Sequence, residues 1–175
     1  MGRDRNQEYS YFFSILKYLL NLIFIYNWLF HYFLCLQGTK VCDIGDDVKE
    51  TLRKFRFRKT TKNAALIMKV DREKQQVCVD EMLDDVTLEE LREILPGHQP
   101  RYIIYCCKME HGDGRVSFPM CFIYFTPRDS HMELQIMYAG TKMALQREAN
   151  LTRVYEVREL DEMTDEWLQD CVMGK

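Results

Sequence analysis

Two pairs of apolar segments, each pair joined across a short polar turn, constrain this chain more than any other feature. Residues 64–70, Ala-Ala-Leu-Ile-Met-Lys-Val, and 76–80, Gln-Val-Cys-Val-Asp, read as the strands of one hairpin that turns at Asp71-Arg72-Glu73-Lys74. Residues 101–109 and 116–125 form a second, longer pair around His111-Gly112-Asp113-Gly114, whose glycines permit the positive φ of a hairpin turn. Pro119 has no amide to donate to a ladder, so it is expected at a sheet edge or a bulge. A sheet built from such strands has apolar faces that must be covered, and helical patterns before, between and after the hairpins supply the cover.

The first of these patterns places Ile44, Val48, Leu52 and Phe55 at intervals of four, four and three, the stripe of a helix starting near Asp43. Over residues 54–59 the spacing becomes two, with Phe55 and Phe57 alternating with Arg56 and Arg58. That predicts an extended segment that buries the aromatics and turns the arginines away. Thr87 and Glu90 form a capping box, in which hydroxyl and carboxylate satisfy orphan amides reciprocally, and Pro96-Gly97 ends the short helix that follows. The longest helical pattern, residues 132–148, gathers Leu134, Met137, Thr141 and Leu145 on one face. Gly140 in its middle costs about 1 kcal/mol relative to alanine and is expected to serve close packing. A strand at 154–157 precedes a terminal helix with an acidic first turn, Asp165-Glu166, and an apolar face of Trp167, Leu168, Cys171 and Val172. The order helix, hairpin, helix, hairpin, helix, strand, helix predicts an α+β fold with one sheet covered by helices.

Residues 1–40 stand apart from this scheme. At 11–36, 21 of 26 residues are apolar or aromatic, long enough to cross a hydrocarbon core of about 30 Å as a helix. Lys17, Asn21, Asn27 and His31 interrupt the run, and its aromatics are spread throughout instead of gathering at the two ends. It is too long for a secretory signal, and no small-x-small cleavage pattern follows it. Asn6 stands where a myristoylation signal wants Ser or Thr. Tyr32-Phe33-Leu34-Cys35-Leu36-Gln37 is also what a pyrimidine-rich intron end encodes before a splice acceptor. Two origins stay open for this leader, a membrane anchor and a translated intron, and residues 41–175 are expected to form a single domain. In the first case Lys40, Lys49, Arg53, Lys54 and Arg56 outweigh Arg3 and Arg5, which keeps the domain on the cytosolic side as a membrane-tethered interaction protein.

Charge and cysteine usage narrow the function. The leader holds four Lys/Arg against two Asp/Glu, leaving 20 against 25 in residues 41–175, so that part is five charges negative and offers no broad nucleic-acid surface. Seven cysteines without a C-x-x-C pair argue for reduced thiols, and adjacent Cys106 and Cys107 should point to opposite faces of a strand. The four histidines lack metal-ligand spacing, so no metal site or other cofactor is expected. The chain carries no nucleophile elbow, zinc-protease, phosphate-loop or dinucleotide motif, and a non-enzymatic binding module is expected.

Four separated segments then carry a resemblance: VCDIGDDVKETLRKFRFRK at 41–59, LPGHQPRYIIY at 95–105, HGDGRVSFPMCFI at 111–123 and IMYAGTK at 136–142. In order and spacing they resemble the glia maturation factor family, over about residues 41–174. The resemblance implies the actin-depolymerising-factor homology fold, a central mixed sheet between helices. It implies a monomeric cytoplasmic regulator at the actin-rich cortex and lamellipodia, which binds the actin-related protein 2/3 complex, inhibits branch nucleation and releases branches. Cofilin-like members of the superfamily carry lysines at the positions similar to Glu133 and Gln135. An anion and a neutral amide there remove charge-assisted contacts to an acidic partner, so weak or no binding to filamentous actin is expected.

Three contact surfaces follow. Lys54, Arg56, Arg58 and Lys59 are expected to steer the domain to an acidic subunit. Gln135, Ile136, Tyr138 and Lys142 lie on the helix that resembles the superfamily's groove-inserting element. Asp113, Gly114 and Arg115 at the hairpin tip are placed to touch a second subunit or an actin monomer. The short serine-containing start usual in glia maturation factors is replaced here by Gln37-Gly38-Thr39-Lys40, which puts phosphoregulation there in doubt.

Overall fold

The computed structural model describes residues 41–59 and 61–173. The leader, and with it the anchor and intron readings, lies outside the described residues. Among the described residues eight strands and four helices follow one another as β1 (Asp43–Ile44), α1 (Asp46–Arg56), β2 (Ala64–Asp71), β3 (Gln76–Asp84), α2 (Leu88–Ile94), β4 (Arg101–Cys106), β5 (Met109–Glu110), β6 (Val116–Ser117), β7 (Met120–Phe125), α3 (Met132–Ala149), β8 (Val154–Val157) and α4 (Asp165–Met173), with a 3-10 turn at Leu160–Glu162. Six strands form one sheet in the order β1-β3-β2-β4-β7-β8, and β5 and β6 make a separate ribbon. The sheet is mixed, because its outer pairs β1/β3 and β7/β8 are parallel while the three pairs between them are antiparallel.

Strand alternation sorts the core into two layers. Ala64, Leu66, Met68 and Val70 of β2 face Val48, Leu52 and Phe55 of α1 and Met137, Tyr138 and Leu145 of α3. Ala65 and Ile67 face Leu91 of α2 and Leu168 of α4 on the other side. With both faces covered, the inner strands read as unbroken apolar runs, and each fully buried aliphatic side chain contributes about 1.5–3 kcal/mol. Cys106 and Cys107 fall in opposite layers, as their adjacency requires. Burial raises the Cys107 thiol to about 11 and the Cys121 thiol to about 12, so both behave as inert core groups.

Several sequence expectations need correction. The first helix begins at Asp46 with Gly45 as its cap, and Ile44 is buried on a two-residue strand opposite Val77. The helical stripe ran on because one buried strand residue happens to lie four positions before Val48. The alternation at 54–59 is not an extended segment, since α1 continues to Arg56. Phe55 is 2% exposed but Phe57 is 77% exposed. Two helical residues subtend about 200°, so an aromatic two places beyond the buried stripe must point outward. The second hairpin is broken into the β4/β7 ladder and the β5/β6 ribbon, and Pro119 lies in the break, its carbonyl accepting from the Cys107 amide at 3.1 Å. Of the two turn glycines only Gly114 takes a positive φ, +82°.

The capping-box expectation holds. The Thr87 hydroxyl accepts from the Glu90 amide at 3.2 Å, and the Glu90 carboxylate accepts from the Thr87 amide at 2.8 Å. A bulge between Ile67 and Met68 leaves Asp80 as the extra residue of β3, which turns its carboxylate toward Arg101. Among the described residues no helix is long and apolar enough to cross a membrane.

Candidate functional site

The long helix α3 lies on the sheet through Tyr138, whose ring centroid is 4.8 Å from that of Tyr102. The Tyr138 hydroxyl accepts from the Val70 amide at 2.9 Å, and burial pushes its pKa up to about 12. Tyr138 is therefore a core residue that seats the helix, and not the surface contact expected of it. Lys142 is also drawn inward: its ammonium lies 3.6 Å from the Glu156 carboxylate and 5.1 Å above the Tyr124 ring, and its side chain is only 17% exposed. Gln135 serves the loop before the helix, donating to the Ser130 carbonyl at 2.9 Å and to the Ser130 hydroxyl at 3.1 Å. Glu133 is ion-paired with Arg72 of the β2–β3 turn.

With these polar groups engaged, the apolar side chains left outward on α3 lie beside exposed Arg147 and on either side of buried Ala139. Met132 is 57% exposed, Ile136 is half-buried and Met143 is 39% exposed, at offsets of four and eleven that share one helix face. Close to Tyr138 lies a charged cluster, Asp80 with Arg101 at 2.8 Å and Lys69 at 2.7 Å. Partial burial of Asp80 works against its charge, but hydrogen bonds from Lys69 and Arg101 win and hold its carboxyl below the usual range.

At the opposite end of the sheet lies the basic run. Lys54 pairs with Glu50 at 2.7 Å one turn earlier on α1. Arg56 reaches across to the end of α3, 3.5 Å from the Ala149 carbonyl and 3.4 Å from that of Asn150. With the Asn150 amide turned to present its oxygen, that atom also lies 2.6 Å from Arg56. A guanidinium there satisfies orphan carbonyls at the negative pole of the helix. Arg58 is ion-paired with Asp84 and sits 5.1 Å over the Phe55 ring. The arginines thus do not simply project into solvent, as the alternation predicted; they fasten α1 to α3 and to β3, while Lys59 is exposed.

The tip of the β5–β6 hairpin completes the set. Arg115 donates to Asp113 from its backbone at 3.1 Å and from its guanidinium at 2.6 Å, an interaction that lowers the Asp113 pKa. The His111 carbonyl accepts from the Gly114 amide at 2.9 Å, so the turn supports its own shape. Asp113, Gly114 and Arg115 are all exposed. Register places this ribbon beyond Cys106, at the same end as the Arg58–Asp84 pair, because Ala64 is opposite both Cys106 and Asp84. The structure therefore brings the basic run and the hairpin tip to one end of the sheet and the start of α3, with Arg72 and Glu133, to the other.

Sequence reasoning missed Phe57, Met132 and Arg72. The helical phase of residues 48–56 carried the signal for Phe57; nothing local marked Arg72, whose partner is 61 residues away. Among the described residues no group of His, Cys, Asp and Glu could hold a metal ion.

Comparison with known proteins locates this arrangement. Cofilin/tropomyosin-type actin-binding proteins match residues 41–173, and the fold is that of the actin-depolymerising-factor homology domain. It recurs in the cofilin of Streptomyces griseoflavus at a TM-score of 0.65 and 21% identity, over 74% of this chain and 95% of that one, a likeness of fold alone. Glia maturation factor from Caenorhabditis elegans superposes at a TM-score of 0.66 with 42% identity, over 75% of this chain and 96% of that one. Glia maturation factor of Drosophila melanogaster is 63% identical over 134 residues, 77% of this chain and 97% of its own. Human glia maturation factor beta is 50% identical over 134 residues, 77% of this chain and 94% of its own. The chain belongs to the glia maturation factor family.

Proposed function

We propose that this chain is a monomeric, cytoplasmic, non-enzymatic regulator of the actin cytoskeleton, which binds the actin-related protein 2/3 complex, inhibits branch nucleation and promotes debranching at the cell cortex and lamellipodia. The observation that carries this reading is the identity to glia maturation factors over nearly the whole domain, 63% to the Drosophila relative. The start of α3 supports it physically. Glu133 and Gln135 stand where cofilin-like relatives have cations, and both are held by internal partners, Arg72 and Ser130. The helix consequently offers Met132, Ile136 and Met143 to a groove, in place of ammonium groups to actin. At the other end the basic run and Asp113, Gly114 and Arg115 would meet a second subunit of the complex or an actin monomer.

The test is direct. Immobilised chain should retain purified actin-related protein 2/3 complex, slow branch formation in a polymerisation assay and co-sediment only weakly with actin filaments. Strong filament binding with no retention of the complex would overturn the reading in favour of a cofilin-like role.

A further inference from the structure

We propose that Phe57 and Met82 form the apolar centre of a docking site for an acidic protein surface, in which a pocket of the partner takes the phenylalanine ring. Phe57 is 77% exposed and Met82 is 54% exposed. Both lie on the α1–α3 side of the sheet. Met82 is opposite Leu66, a residue of that core layer, and directly opposed residues share a face. Phe57 closes α1, which packs on that layer. The Arg58–Asp84 ion pair then ties the residue after Phe57 to the residue two places beyond Met82 on the same strand face.

The ring is presented from a held backbone. Its amide donates to the Arg53 carbonyl at 3.2 Å, Arg56 is fixed to the end of α3, and Arg58 is fixed to Asp84 and over Phe55. An aromatic side chain displayed this way loses little freedom on binding, which is the property of an interface anchor. Its surroundings specify the partner's charge. Residues 53–62 hold six Lys/Arg and no Asp/Glu, and against them stand three paired carboxylates, Glu50, Asp84 and Asp85, a local excess of three positive charges. Residues 41–175 as a whole are five charges negative, so this end is a positive island that steers an acidic surface. A lipid surface fits less well: one ring is a weak membrane anchor, and half of the six cations are set in ion pairs of defined geometry.

The site deepens the function proposed above and rests on it, with the actin-related protein 2/3 complex as the acidic partner. The test compares the full-length chain with Phe57→Ser, Phe57→Leu and Met82→Ser in binding to the purified complex, together with thermal melting of each. Phe57→Ser should weaken binding about tenfold, as an anchor does, and Met82→Ser about threefold, while Phe57→Leu recovers part of the loss and all three melt with the unaltered chain. Full affinity of Phe57→Ser overturns the site and leaves the function standing. A collapsed melting transition in Phe57→Ser also overturns it, because the ring would then be structural. Failure of the unaltered chain to bind the complex overturns the function and the site together. Vesicles of phosphatidylserine are probed in parallel; Phe57-dependent co-sedimentation with unchanged binding to the complex would assign the patch to a membrane.

Discussion

The carboxyl end of α1 and the amino end of α3 resolve their charges in the same way and end with different surfaces. At the end of α1, Arg56 and Arg58 are spent on Ala149, Asn150 and Asp84, and what remains outward is Phe57 within a positive field. At the start of α3, Glu133 and Gln135 are engaged by Arg72 and Ser130, and what remains outward is Met132 and Ile136 in a nearly neutral setting. A charged residue in a motif is thus a weak guide to contact until its internal partners are known. The first surface suits the steering and anchoring proposed for it, and the second the proposed insertion into an apolar groove.

The largest effect is expected from Glu133→Lys combined with Gln135→Lys, which restores cations at the start of α3 and frees Arg72. A charge-assisted hydrogen bond from either new ammonium to actin contributes about 1.5–3 kcal/mol, so filament affinity in co-sedimentation should rise at least about tenfold. Equal sedimentation of variant and parent would break the contrast between the two ends. Next, Arg56→Ala with Arg58→Ala removes the carbonyl contacts at the α3 terminus, the Asp84 pair and the stacking over Phe55. Together these should lower the unfolding free energy by about 2 kcal/mol in urea titration, whereas Phe57→Ser between them should not. A stable double variant would return the arginines to the solvated face that their alternation first suggested.

A third effect separates the supports of the two ends by pH. Asp80, in the cluster close to Tyr138, has a folded-state pKa below its unfolded value, which lies near the usual carboxylate figure of about 3.9. Its contribution is therefore fully present above that unfolded value and is lost as pH falls through the depressed one. Asp80→Asn should flatten the acid limb of the stability curve as pH falls below the unfolded value, whereas the Arg56 contacts at the α1 end, made to backbone carbonyls, involve no titrating carboxylate. An unchanged limb in urea midpoints measured across that range would show that Asp80 adds no such stability. The smallest effect belongs to Arg72→Ala. Its pair with Glu133 is half exposed, at 51% and 56%, and should be worth about 0.5 kcal/mol at low salt and nothing measurable in concentrated salt.

Apart from β1 and the break in the second hairpin, the order of elements, the Thr87 capping box, the span of α3 and the family were all legible along the chain. These are written in short-range periods of 2 and 3.6 residues and in local motifs, which survive without knowledge of the rest of the chain. The opposite facing of Cys106 and Cys107 was legible too, because strand geometry requires it. The phase of residues 54–59 was not, since so short an alternation, Phe55 to Arg58, fits a strand and the last turn of a helix equally well until the packing of Val48, Leu52 and Phe55 selects the helix. Nor was it legible which charges would find internal partners; that waited for the folded arrangement. Arg56 finds its carbonyls 93 residues away, Tyr138 finds Val70 at a separation of 68, and Arg72 finds Glu133 at 61. Such pairings arise when two helices settle on one face of a sheet, and no local pattern encodes a partner that the chain reaches only by folding.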